Sequence, residues 1–294
     1  MSITIDWQTS VAASALHVAQ RLMRSAAIVD SRLQSALSEP VATLARELKT
    51  AGVDPVLFWS HLLPHSATLA SARERVSLAL TKGIGREASQ RLTPTLAGAV
   101  VDIEQSLLRV VPKLTGELEL RLPPWRQQWE ARGPGLFFGV RRLAEAQLLP
   151  ERATVVLVHP VASGGGEAFA PYNQVLLEAT LTDPEPRLPE LVRLGWLLAQ
   201  TNLDLPDYAD RLPRDRLLRA AKLGLVPVVL AAAEDAELSR CNSETQRLAL
   251  TNWELAGNDV ENLSDTLDIW YGVYRQRRPE FGVGLLALDE MLPH

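Results

Sequence analysis

Apolar residues recur at helical spacing along most of this chain, and one short central stretch breaks that rhythm. From Trp7 to Leu37 the apolar positions Val11, Leu16, Ala19, Leu22, Ala26, Ile28 and Leu33 predict helix, with Arg21, Arg24 and Arg32 among them. A second helical pattern runs from Pro40 to Thr50 and stops at Ala51-Gly52, after which Asp54-Pro55 supplies a cap and a first-turn proline. Ser66 to Leu80 and Glu87 to Val111 follow, the latter ended by Pro112. Residues 1–113 therefore read as a helical region.

The pattern changes beyond Leu114. Glu117 to Leu122 alternates charged and apolar residues, which suggests a short strand ended by Pro123-Pro124. Trp125 to Arg132 then reads as a helix stopped by Gly133-Pro134-Gly135, with Leu136 to Gln147 as another. Trp125 and Trp129 share a helical face and are expected to pack inside. Thr154 to Val158 and Gln174 to Leu181 are apolar and β-branched, as buried strands are, with the glycines after Ser163 connecting them. Helical spacing returns in Glu190 to Thr201, Arg214 to Leu223, Pro227 to Leu238, Ser243 to Leu255, Leu263 to Arg277 and Val283 to Met291. The expected fold class is α+β and predominantly helical: a helical bundle over 1–113, then an α+β region over 114–294 with a small sheet at about 154–181 packed with helices.

Composition narrows the function. With 294 residues and 47% hydrophobic content the chain can bury a sizeable core. Its net charge of −5 is unevenly spread: up to Leu114 there are 12 basic and 9 acidic residues, and beyond it 18 and 26. Arginines scattered singly over an acidic chain argue against nucleic acid as a partner. The single cysteine, Cys241, allows no intrachain disulfide and no thiolate cluster, which points to a reduced, cytoplasmic setting. The amino terminus lacks the pattern of a secretory signal. The longest uncharged run, Pro55 to Ala72, is too polar for a membrane span.

Several motifs invite chemistry and fall short of it. Ser163-Gly164-Gly165-Gly166-Glu167 is no phosphate loop, because it carries no lysine, places an acid next to the glycines and leads toward a strand. His61 and His65 have metal-ligand spacing, yet Leu62 stands where a metallopeptidase needs glutamate and Pro64 interrupts the helix. His159 ends a strand beside Ser163, but the elbow that would expose a nucleophilic serine is missing. Trp270, Tyr271 and Tyr274 could form a protein-binding surface. The candidates for catalysis are His159, Glu167, Glu178, Arg193 and Glu234, and those for binding are Tyr172, Asn173, Trp196 and Gln200. Glu190, Arg193, Gln200 and Asn202 are expected on a polar face, with Arg193 paired to Glu167, Glu178, Glu234 or Glu237.

From Thr154 to Leu238 the element order is a strand, a glycine-bearing connection, an edge-like strand, a Leu-Pro opening, a helix and a later helix with paired acids. That order resembles the core of zincin-type metallopeptidases. The resemblance implies a metal-binding helix over Glu190–Gln200 and a third, acidic ligand at Glu234 or Glu237. The ligand places of the His-Glu-x-x-His motif hold Arg193, Leu194 and Leu197 in one register and Trp196, Leu197 and Gln200 in the other, so neither register binds zinc. The expectation is a degenerate, metal-free fold with no cofactor, non-catalytic and used for interaction with another protein. The alternative is a hydrolase-like enzyme with a site around residues 159–200.

Overall fold

A computed structural model describes residues 3–162, 164–257 and 259–293. Its first element corrects the all-helical reading of the amino-terminal region: Thr4–Thr9 is a strand, β1, parallel to β2 at Arg152–Val158. Ile3, Ile5 and Trp7 alternate with Thr4 and Asp6, the period of a strand with one face inward. Ser10 then caps α1 (Val11–Met23), its hydroxyl accepting from the Ala13 N–H at 3.0 Å. Helices α2 (Ser31–Thr50), α3 (Pro55–Leu62), α4 (Ala72–Ile84) and α5 (Arg86–Val110) complete this part.

Prolines misled the division of the longest helices. Helix α6 runs unbroken from Leu114 to Leu143 through Pro123, Pro124 and Pro134, replacing the expected strand and two shorter helices. The three prolines lie on its exposed face, as do Glu119, Leu120 and Glu130, whose carbonyls lose their helical partners; water can satisfy them. The opposite face buries Trp125, Trp129, Leu136 and Val140. Pro40 likewise lies within α2.

Sheet order is β1-β2-β4-β3, with β3 at Gly166–Phe169 and β4 at Gln174–Glu178. The chain leaves β2, passes over the place of β4 to form the edge strand β3, and turns back antiparallel into β4, which then lies parallel to β2. The segment taken as a plain connection thus contains a strand, and the second strand ends at Glu178 instead of Leu181. Asn173, expected to bind a ligand, makes the hairpin turn: its φ is +46° and its N–H donates to the Ala170 carbonyl at 3.1 Å.

Helices α7 (Glu190–Leu198), α8 (Pro206–Ala209), α9 (Arg214–Asp235), α10 (Ser243–Asn252), α11 (Val260–Arg277) and α12 (Phe281–Met291) follow. Helix α9 carries Pro227 inside it, so the two helices expected there are one. Burial against α6, α7 and α10–α12 offsets the roughly 3 kcal/mol an interior proline costs. Helices α1, α6 and α7 pack on the sheet, and one continuous apolar core joins residues from α1 to α12. Trp270, Tyr271 and Tyr274 lie inside that core: Trp270 and Tyr274 stack at 5.2 Å, and the Trp270 indole donates to the Gly284 carbonyl. They form no protein-binding surface. Among the described residues no helix is long and apolar enough to cross a membrane.

Candidate functional site

Helix α7 is buried on every side, which overturns the expectation of a polar face. Arg193 and Glu190 are 4% and 3% exposed and pair with each other at 3.2 Å, while Arg193 Nη2 donates to the Asn252 carbonyl at 3.1 Å. Arg193 therefore pairs with none of the four acids expected for it. Burial pushes the Glu190 carboxyl up to about 7, helped by the nearby acids Glu178 and Asp183 and opposed by Arg193. Burial also lowers the Arg193 pKa, although Glu190 opposes it. Desolvation thus works against both charges of this pair, and Glu190 Oε2 and Arg193 Nε have no hydrogen-bond partner among the described residues.

One turn of the sheet away, Glu178 is wholly buried at the end of β4 and densely bonded. Its Oε1 lies 2.9 Å from His17 Nε2, and its oxygens accept from the N–H groups of Ala162 (3.1 and 3.2 Å) and Gly164 (3.0 Å). Burial alone would raise this carboxyl; the His17 contact and the two backbone donors more than offset it and hold Glu178 below its ordinary value. An ionised carboxylate only accepts, so His17 donates through Nε2. Its Nδ1 has no partner among the described residues, and the ring borders a cavity.

The close approach at the loop explains its glycines. Gly164 has φ +112°, and a Cβ there would sit 2.8 Å from Glu190 Oε1; a Cβ on Gly166 would meet the Leu176 carbonyl at 2.5 Å. The expected role of Ser163 lies outside the described residues.

The cavity has a volume of about 430 Å³. Helix α1 and its C-cap line it with His17, Gln20, Arg21 and Arg24, and β3 with Gly166, Glu167 and Ala168. Trp196, Leu197 and Gln200 come from α7 and its end, Arg219, Lys222 and Leu223 from α9, and Trp253 with Glu254 from the turn after α10. Trp196 and Trp253 lie 4.8 Å apart, and the Trp196 indole donates to the Lys222 carbonyl at 2.9 Å. Gln200 Nε2 donates to the Trp196 carbonyl at 3.0 Å. Arg21 makes a two-pronged pair with Glu254 at 2.7 and 3.2 Å, and Arg24 reaches Glu167 at 3.3 Å.

The edge strand borders this cavity with Gly166, Glu167 and Ala168. Glu178 N donates to Gly165 O at 2.9 Å, which makes Gly165 and Glu178 a hydrogen-bonded pair. Alternation along an antiparallel ladder then turns Glu167 toward β4, and turns the N–H and C=O of Gly166 and Ala168 outward, to the side where no strand pairs.

Of the nine residues singled out in the sequence, Glu167, Trp196 and Gln200 line the cavity, and Glu178 stands behind it, joined through His17. The others do not border it. Tyr172 hydrogen-bonds His61 Nδ1 at 2.7 Å and meets the His65 ring at 4.7 Å, fastening the hairpin turn to the α3 region. The His159 N–H donates to Ser14 Oγ at 3.0 Å, its Nδ1 is buried without a partner among the described residues, and burial with the Arg121 charge lowers its pKa. Glu234 accepts from the Cys241 N–H at 3.1 Å, twelve residues and so roughly 18 Å along α9 from Lys222. The residues missed are those of α1. His17, Gln20, Arg21 and Arg24 stand at i, i+3, i+4 and i+7, a polar stripe on an otherwise apolar helix. Among the described residues no three of His, Cys, Asp and Glu gather as a metal set. Comparison with protein families, with curated proteins and with solved structures finds nothing that matches this chain.

Proposed function

We propose that this chain is a non-catalytic, metal-free interaction protein that holds an extended polypeptide segment along β3. The observation that carries this reading is the free edge: the outward amide groups of Gly166 and Ala168 border the 430 Å³ cavity, where a further strand can pair. Trp196, Trp253, Leu197 and Leu223 supply apolar surface for alternate side chains of such a segment. The kinship with zincin-type folds belongs to the same reading. The metal-free part of that reading is supported by helix α7, whose motif positions are occupied by a buried ion pair at Arg193 and by the Trp196–Trp253 contact. The test uses capped peptides of alternating aliphatic and polar residues, titrated against the full chain and read by tryptophan fluorescence. Ala168→Pro removes one outward N–H, which an edge strand tolerates, and is expected to abolish binding while preserving the circular dichroism spectrum. Equal binding to Ala168→Pro counts against strand addition.

A second reading, a hydrolase-like enzyme, is favoured by the His17–Glu178 pair. A carboxylate that orients an imidazole and leaves Nδ1 unpartnered beside a cavity is the arrangement of a general base. Among the described residues the cavity lining contains no serine, threonine or cysteine, and the nucleophile this reading takes is water. Turnover of ester or peptide substrates by the wild type and not by His17→Ala would select it over the interaction reading.

A further inference from the structure

We infer that the segment held along β3 is acidic, with carboxylate side chains alternating with the apolar ones; this rests on the strand-addition reading. Four cations border the cavity, and they are not equivalent. Arg21 is neutralised by Glu254 through two hydrogen bonds, and Arg24 by Glu167. Arg219 and Lys222 remain, three residues apart and so on one face of α9. Among the described residues Arg219 donates only to the Pro293 carbonyl, and the Lys222 ammonium has no side-chain partner. Against them stands Asp215, which makes no ion pair with either. The residual charge of the wall is positive on a chain whose net charge is −5. That local reversal is what selects a negative ligand from competing peptides.

Strand geometry turns this charge into a pattern. Successive side chains of an added strand point to opposite faces, so one set can enter the tryptophan-lined part of the cavity and the alternate set meets the rim. An apolar–acidic alternation satisfies both at once. An apolar–basic alternation would bring cations against Arg219 and Lys222, a repulsion felt within a Debye length of about 10 Å at 0.1 M salt.

The experiment compares two acetylated and amidated peptides, Val-Glu-Leu-Glu-Val and Val-Lys-Leu-Lys-Val, binding to the full chain at low salt, read by tryptophan fluorescence and calorimetry. The glutamate peptide is expected to bind at least about tenfold more tightly, with the preference falling as salt rises. Lys222→Glu combined with Arg219→Glu is expected to erase or reverse it, the circular dichroism spectrum reporting that the fold is kept. Equal binding of the two peptides to the wild type overturns the charge inference; if both fail on Ala168→Pro, strand addition survives. A glutamate preference that persists on Ala168→Pro keeps the charge inference and removes strand addition. Binding of neither peptide overturns both.

Discussion

Replacing Arg193 by leucine removes the one cation beside Glu190, and its cost should depend on pH in a way fixed by that carboxyl. In the folded chain Glu190 titrates near 7, against 4.5 for an ordinary glutamate. Because the folded value is raised, the folded state holds this proton more tightly. The contribution of Glu190 to stability is therefore fully present below about 4.5 and is lost as pH rises to 7, by about 3 kcal/mol in all. Without Arg193 the carboxyl stays protonated to higher pH. The cost of Arg193→Leu should then grow by about 1.4 kcal/mol per pH unit above 7, until the variant's own carboxyl ionises. Beneath this lies a pH-independent part, the lost hydrogen bond to the Asn252 carbonyl and lost packing, about 2 kcal/mol. The total is about 2 kcal/mol at pH 5.5, where Glu190 is neutral, and about 3–4 kcal/mol at pH 8, where the pair is charged and the cost reaches the ~3–5 kcal/mol of breaking a buried pair. Urea denaturation followed by far-ultraviolet circular dichroism at both pH values measures it. A loss under ~1 kcal/mol would mean that Arg193 is solvated, and an equal loss at both pH values would remove Glu190 as its partner.

Glu178 should show the opposite pH sign: its folded pKa is depressed, so its contribution is present above the ordinary carboxylate range and fades as pH falls through the folded value. Glu178→Ala strands His17 Nε2 and the N–H groups of Ala162 and Gly164, and should cost ~3–5 kcal/mol at pH 7 in the same denaturation assay; a loss below ~1 kcal/mol contradicts the network. Gly139→Ala places a Cβ 2.7 Å from Ala232 Cβ, where α6 crosses α9, and should cost ~1–3 kcal/mol. Gly98→Ala, with open space around the new methyl group, should instead gain up to ~1 kcal/mol through helix propensity, and calorimetric melting of the two variants in opposite directions is the expected result.

Local pattern carried much of the fold. Capping and spacing signals such as Asp54-Pro55 and the run from Glu87 to Val111 depend on residues a turn apart, and α3 and α5 stand where they indicated. The two central strands were legible because apolar β-branched runs have few other uses. The strand at Thr4–Thr9 and the polar stripe of α1 were also written in the chain. The first was submerged in a longer apolar window, and the second was not singled out because nothing local says what a polar face meets.

By itself, then, the sequence determined the α+β class, the helical majority and the two central strands, since periodicity and turn chemistry act over a few residues. Glu167, Trp196 and Gln200, singled out in the sequence, line the cavity. Tertiary structure decided the rest. Whether a proline breaks a helix depends on whether the freed carbonyl reaches water, as on the exposed face of α6, or whether packing offsets the loss, as in α9. Whether a charge faces solvent or a partner depends on contacts across long separations: His17 meets Glu178 across 161 residues, and Arg21 meets Glu254 across 233. No local pattern encodes such pairs, because the free energy that fixes them is the cost of burying each charge alone, and that cost exists only once the chain has folded around it.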